Sequence, residues 1–326
     1  MSYYGNYKSV RKFVKMGFKR RLKGFAPIFV IMAGACWGVI GVFSKQLTGL
    51  GFSPIQTVFL RFGLATVLLW LYFLVFDRAK LKIRLRDIWM FFGTGILSLA
   101  LFSTLYFTTI RNTTLSLAAV LLYTAPCFVM LMSAIFFREK IGLRKISALL
   151  LAFSGCVFTT GLFEALIGGK PLGFISLTGI LTGIGSGFGY ALYSIFGTVA
   201  LKKYDTVTVT AYTFLTVTLA LSPFCLGKEF FALFRDGTAV PSAAGITLIS
   251  TLLPYLLYTK GLKHTAPGNA SVLAFSEPLV ATLAGLVFFR ERLTLGGAVG
   301  MLLIFASIII LGNNKTAELE NATPEN

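Results

Sequence analysis

The chain has 326 residues, of which 56% are hydrophobic and 13% charged, and its mean hydropathy is +0.80. A soluble domain carries roughly a quarter charged residues, so this composition excludes an ordinary water-soluble protein and assigns most of the surface to lipid. The net charge of +18 argues against nucleic-acid binding by its placement: basic residues gather in the N-terminal tail and in alternate connections between apolar blocks, with no aromatic-basic platform or zinc-finger spacing beside them.

The first element is a basic tail, residues 1–24, in which Lys8, Arg11, Lys12, Lys15, Lys19, Arg20, Arg21 and Lys23 stand without an acid. Such an arm suits contact with anionic lipid headgroups. It runs into a long apolar segment with no small-residue cleavage site, so no cleaved leader is expected. About twenty apolar residues cross a hydrocarbon core of about 30 Å as a helix. By that measure the spans are 25–45, 54–76, 88–110, 115–137 and 145–163, then 172–197, 207–225, 240–259, 267–288 and 295–312. A polar tail at 313–326 is expected to be disordered. Barrel strands would be about ten residues long and would alternate; these runs do neither. The predicted fold is therefore all-α, a polytopic membrane protein with ten transmembrane helices, because backbone groups in lipid must be satisfied within each segment.

Loop charges orient the spans. QLTGLGFS after the first carries none, DRAKLKIRLRD after the second is basic, Arg111 stands alone after the third, and Arg138, Lys140, Arg144 and Lys145 follow the fourth. Basic loops stay in the cytoplasm, so both termini are expected there, in the cytoplasmic (inner) membrane of a bacterium. Arg290 and Arg292, which ten spans place outside, break the pattern.

An internal repeat accounts for the exception. Tyr106 is followed after 20 residues by Pro126 and then by FFRE containing Arg138 and Glu139; Tyr258 is followed after 20 residues by Pro278 and then by FFRE containing Arg290 and Glu291. One offset of 152 aligns every pair. Each unit, 25–163 and 172–312, holds five spans, an odd number, so the second enters the membrane from the opposite side. Two inverted five-helix repeats give a carrier two near-equivalent arrangements with a binding site between them at mid-depth.

The chain resembles the drug/metabolite transporter superfamily, and within it the EamA-like metabolite and amino-acid exporters. The resemblance lies in GACWG at 34–38, LRFGLA at 60–65, YFTTI at 106–110, SLAAVLLYTAP at 116–126 and FFREK at 136–140, then in YTKGL at 258–262, NASVLAFSEPLVATLAG at 269–285 and FFRERLTLGG at 288–297. It covers residues 25–312 and implies ten helices and transport of amino acids, other small metabolites or hydrophobic cations, often outward. It also implies that Arg61 is the usual arginine of its helix and that Glu277-Pro278 is a frequent pair.

Among the acidic residues Glu277 alone falls near the middle of a span, about 15 Å deep at 1.5 Å per residue. A carboxylate there must be paired, protonated or turned to a water-filled cavity. It could bind substrate or carry a proton through a transport cycle, or it could only pair helices, with Arg61 as partner. Arg61, about 10 Å below the outer surface, could fix helices or recognise a carboxylate. Trp37, Tyr106, Tyr123, Tyr190, Tyr193, Tyr255 and Tyr258 fall in spans that flank a central cavity if the resemblance holds. Such rings could stack on an aromatic metabolite or attract a cation; interface anchoring is the alternative. Pro126 and Pro278 each remove a backbone hydrogen bond and are expected to bend equivalent helices. Gly38 and Gly187 belong to small-residue rows, Gly34, Gly38, Gly41 and Gly179, Gly183, Gly187, that allow close helix contact and could serve a gate.

Cys36, Cys127, Cys156, Cys225 and the lone His264 form no ligand cluster, and no catalytic triad or phosphate loop is present, so neither a metal, a cofactor nor an enzyme is expected. The expected function is secondary transport of a small organic metabolite, an amino acid first, with membrane lipids and a coupling proton as further partners, as a monomer or homodimer. A carrier of organic cations or nucleobases, a lipid-linked flippase and a non-transporting membrane partner remain as alternatives. An alkyl-lined lateral opening would point to the flippase, and the lack of a central cavity to the partner.

Overall fold

The computed structural model describes residues 24–168, 175–235 and 237–312; the readings of the lipid-facing arm at 1–23 and the disordered tail at 313–326 fall outside them. Helices dominate: α1 Gly24–Gly49, α2 Pro54–Phe76, α3 Leu85–Asn112, α4 Leu115–Phe137, α6 Leu177–Leu201, α7 Thr206–Cys225, α8 Val240–Leu262, α9 Pro267–Phe289 and α10 Leu295–Gly312. These nine, among the described residues, are long and apolar enough to cross a membrane. The predicted fifth span is a helix too, α5 Leu143–Thr159, but at 17 residues it is shorter than the other nine. It stops at Gly161, whose φ of +70° suits a residue without Cβ, and a short helix Leu162–Ile167 follows.

Caps set the boundaries that apolar run length could not. Ser53 and Gln56 form a reciprocal capping box at the start of α2. The sixth span begins five residues later than its apolar run suggests, at Leu177, because the Ser176 hydroxyl accepts the Gly179 N–H at 3.0 Å. Asp205 does the same for α7 through Thr208 N–H at 2.8 Å. Large apolar side chains such as Val75, Phe76, Leu131, Phe136, Leu302 and Phe305 are exposed, as a surface solvated by lipid requires.

The halves are related by a two-fold axis lying across the helices, and individual contacts show it. Thr66 and Thr218, 152 residues apart, hydrogen-bond to each other at 3.1 Å, so this pair sits on the axis. Helices α2 and α7 run antiparallel past it, with Cys225 Sγ on the Ile55 carbonyl at one end and Trp70 against Tyr212 at the other. Helices α5 and α10 pack the same way. Ser307 Oγ donates to the Ala148 carbonyl at 2.7 Å, and the symmetry-equivalent contact brings Gly155 against the Gly300 carbonyl, where an added Cβ would stand 2.7 Å away. Local conformation repeats as well. Arg138 and Arg290 both end their helices left-handed, at φ 55° and 53°, and π-helical segments at Gly93–Ala100 and Leu248–Leu252 end at equivalent positions. An antiparallel relation of equivalent helices means that the second repeat is inverted.

Candidate functional site

Three helices bring the deep aromatic residues together. Trp37 of α1 meets Tyr255 and Tyr258 of α8 at ring distances of 5.2 and 5.4 Å, and Tyr190 of α6 at 6.4 Å. Tyr193 of α6 closes the set at 5.3 Å from Tyr255 and 6.1 Å from Tyr258. Hydroxyls this far from water need partners: Tyr193 pairs with Thr259 at 2.7 Å and Tyr258 with Ser194 at 2.8 Å. Edge-to-face contacts from Phe62 and Phe214 hold Tyr255 from behind at 5.7 and 5.3 Å. Neither these phenylalanines nor Ser194 and Thr259 were singled out from sequence; only the adjacency of Phe62 to Arg61 and of Ser194 to Tyr193 hinted at them.

Tyr106 joins through Phe102, whose ring lies tilted against it at 6.3 Å and meets Tyr190 edge-to-face at 5.4 Å. Tyr123 lies apart, against Phe275 at 5.7 Å. The space enclosed by Trp37, Leu99, Tyr190, Tyr193, Ser194, Tyr255 and Tyr258 is about 10 Å³, room for about one water molecule. The rings are closed on one another.

Two charges border this cluster. Arg61 is buried, its guanidinium lies over the Phe62 ring at 4.6 Å, and its Nε finds no hydrogen-bond partner among the described residues. Glu277 is half-buried, like Tyr106, Tyr123 and Tyr190, and within electrostatic range of Arg61, Tyr106, Tyr123, Tyr190 and Tyr255. None of the ion pairs among the described residues joins Arg61 to Glu277, so the helix-pairing role is not made by direct contact. Neither charge is duplicated: Ala125 occupies the position equivalent to Glu277, and Thr213 that of Arg61.

Glu277 is placed by an interruption of its helix. Span α9 breaks at Ala274 and Phe275, and Ser276–Phe289 starts afresh with Pro278 in its first turn, where a missing N–H costs nothing. Span α4 breaks in the same region, at Tyr123 and Thr124, with Pro126 at the start of Ala125–Phe137. Thr124 relieves its break locally by donating to the Leu121 carbonyl at 2.6 Å. Ser276 instead reaches across to the Ile31 carbonyl of α1 at 2.8 Å. Both breaks seat on glycine. A Cβ on Gly38 would lie 2.6 Å from the Glu277 carbonyl oxygen, and one on Gly187 3.1 Å from that of Leu121.

A second cavity lies to the side, between α9 and α10. Leu279, Ala298, Met301, Leu302 and Phe305 line a groove of about 390 Å³.

A family model described as the EamA-like transporter family matches residues 24–161 and again 177–313. An "Uncharacterized transporter" of Archaeoglobus fulgidus is 30% identical over 296 residues, covering 89% of this chain and 97% of the relative. The "Uncharacterized transporter YxxF" of Bacillus subtilis is 26% identical over 293 residues, 88% and 89% of the two. A solved structure superposes with a TM-score of 0.73 at 17% identity, over 90% of this chain and 98% of that one, a likeness of fold.

Proposed function

Since the chain belongs to the EamA-like transporter family, we propose that it is a secondary transporter carrying a small organic metabolite across the cytoplasmic membrane by alternating access, with an aromatic or hydrophobic amino acid as the leading substrate and export as its direction. One observation carries this reading: a buried guanidinium with an unpartnered Nε and a half-buried carboxylate flank the same aromatic cluster without pairing with each other. A zwitterion answers both, its carboxylate turned to Arg61 and its ammonium to Glu277, while the rings take the side chain. Glu277 is also the group suited to exchange a proton for the ammonium.

The test is uptake into proteoliposomes, screened against amino acids, amines and nucleobases with and without an imposed pH gradient. The expected result is saturable flux of an aromatic or aliphatic amino acid that Glu277→Gln reduces at least about tenfold, the effect of about 1.4 kcal/mol added to the rate-determining barrier. Undiminished proton-dependent flux in Glu277→Gln would remove the site assignment. The alkyl-lined groove between α9 and α10 favours a second reading, a carrier of an amphiphile that enters sideways from the lipid. Flux of amines or amphiphiles with none of amino acids would decide for it. The closed central space taken alone favours a protein that moves nothing; family membership speaks against that, and silence across the whole screen would restore it.

A further inference from the structure

The two-fold relation makes one departure from symmetry informative. On the side of the molecule that carries residues 138–142 and 263–266, the first half of α9, Pro267–Leu273, packs along the second half of α4, Ala125–Phe137. The symmetry-equivalent pair, Leu115–Leu122 with Ser276–Phe289, makes no comparable packing. Burial says the same. Nine of the ten residues 267–276 are buried, whereas of the equivalent residues 115–124 only Ala118 and Val120 are.

The closed side has a polar fastening. Glu139 accepts the backbone N–H of Gly268 at 3.1 Å and the ammonium of Lys145 at 2.8 Å, and the Ser133 hydroxyl donates to it as well. The carboxylate belongs to the first repeat and the N–H to the second, so the contact joins the halves at their moving edge. Its counterpart, Glu291, folds back over Gly285 of the helix that precedes it, and no hydrogen bond among the described residues carries it to Ser116, the position equivalent to Gly268.

We propose that Glu139 is the latch that holds one entrance of the carrier shut, that Glu291 is the matching latch of the other, and that the structure is the state closed at the Glu139 side and open at the Glu291 side. By the basic loops the closed side is the cytoplasmic one. The two glutamates engage in turn as the halves exchange conformations, each accepting the N–H at the start of the opposite repeat's fourth helix. Alternating access is taken over from the proposed function; the identity and present position of the latch are the new part.

The test needs no substrate. In a variant with Cys36, Cys127, Cys156 and Cys225 replaced, a single cysteine is placed at Ser271 or at its equivalent, Ala119, and the full-length protein is labelled with a water-soluble maleimide. Ala119→Cys is expected to react faster than Ser271→Cys. Adding Glu139→Ala is expected to speed Ser271→Cys about tenfold or more, the shift that loss of one charge-assisted hydrogen bond produces, and to slow Ala119→Cys. Glu291→Ala is expected to leave both rates as they were. Gly268→Ala provides a second route, since its Cβ would stand 2.8 Å from Glu139 Oε1, and is expected to speed Ser271→Cys as well. Equal labelling of the two sites at the outset, or rates that neither Glu139→Ala nor Gly268→Ala alters in monodisperse protein, would overturn the proposal. Because labelling is read without flux, a shift in rates alongside Glu277-independent transport would sink the site and keep the latch. The reverse pattern would do the opposite.

Discussion

Gly38→Ala tests whether the backbone of α1 is the seat of the interrupted helix that bears Glu277. An added methyl would lie 2.6 Å from the Glu277 carbonyl oxygen, 2.8 Å from Val280 Cβ and 2.9 Å from Ala281 N. Two of the three are backbone atoms, so no rotamer change relieves the contact and the second half of α9 must move off α1. Overpacking of this kind costs about 1–3 kcal/mol, of which up to about 1 kcal/mol is returned by the better helix propensity of alanine. A net loss of about 1–2 kcal/mol remains, a factor of roughly 5–30 in the ratio of folded to unfolded protein. Gly41→Ala is the control, one turn away with nothing within 4 Å of its added Cβ. The assay is the thermal unfolding midpoint of both variants in one detergent, followed by transport in proteoliposomes. Gly38→Ala is expected to melt several degrees below Gly41→Ala and to transport more slowly, because Glu277 moves with the displaced segment. Equal midpoints for the two variants would refute the seat.

Asp87 and Asp77 separate a pair with a buried carboxylate from a surface one. Asp87 is 2% exposed and accepts Lys203 Nζ at 2.6 Å and Tyr204 Oη at 2.8 Å, so Asp87→Asn is expected to lower the melting midpoint more than Asp77→Asn does. The more exposed Asp77–Lys80 pair, at 2.9 Å, is worth at most about 1 kcal/mol; equal melting of Asp87→Asn and Asp77→Asn would contradict the difference. For the topology, single cysteines replacing Lys140 and Arg292 are expected to react with an impermeant reagent from opposite faces of oriented vesicles, and reaction of both from one face would rule out inverted repeats.

Much of the architecture could be read from residues alone, because lipid makes apolar run length a physical measure of helix length. The predicted and observed limits of the second, fourth and tenth spans coincide. They part where a capping side chain decides, as at Ser176, or where a glycine ends the run early, as at Gly161. The offset that aligns Tyr106 with Tyr258 also pairs Arg138 with Arg290, which share a left-handed backbone. Convergence of Trp37, Tyr190, Tyr193, Tyr255 and Tyr258 agrees with the family resemblance, which implies that their spans flank one centre. What stayed hidden were distances between helices. Whether the rings leave a cavity, whether Arg61 touches Glu277, and that Tyr123 stands apart all depend on packing angles that periodicity does not carry. Glu139 was visible only as part of FFRE, a helix end, since its partner Gly268 lies 129 residues away.

Duplication supplied two copies of the scaffold but one of each charge, for alanine and threonine stand where symmetry would repeat Glu277 and Arg61. A rocking motion therefore has no second pocket to hand the cargo to. Under the proposed function the same guanidinium and carboxylate would hold it whichever way the protein faces, so their grip would be alike on both shores. On that proposal, accumulation against a gradient would depend on a companion species let go on the far side.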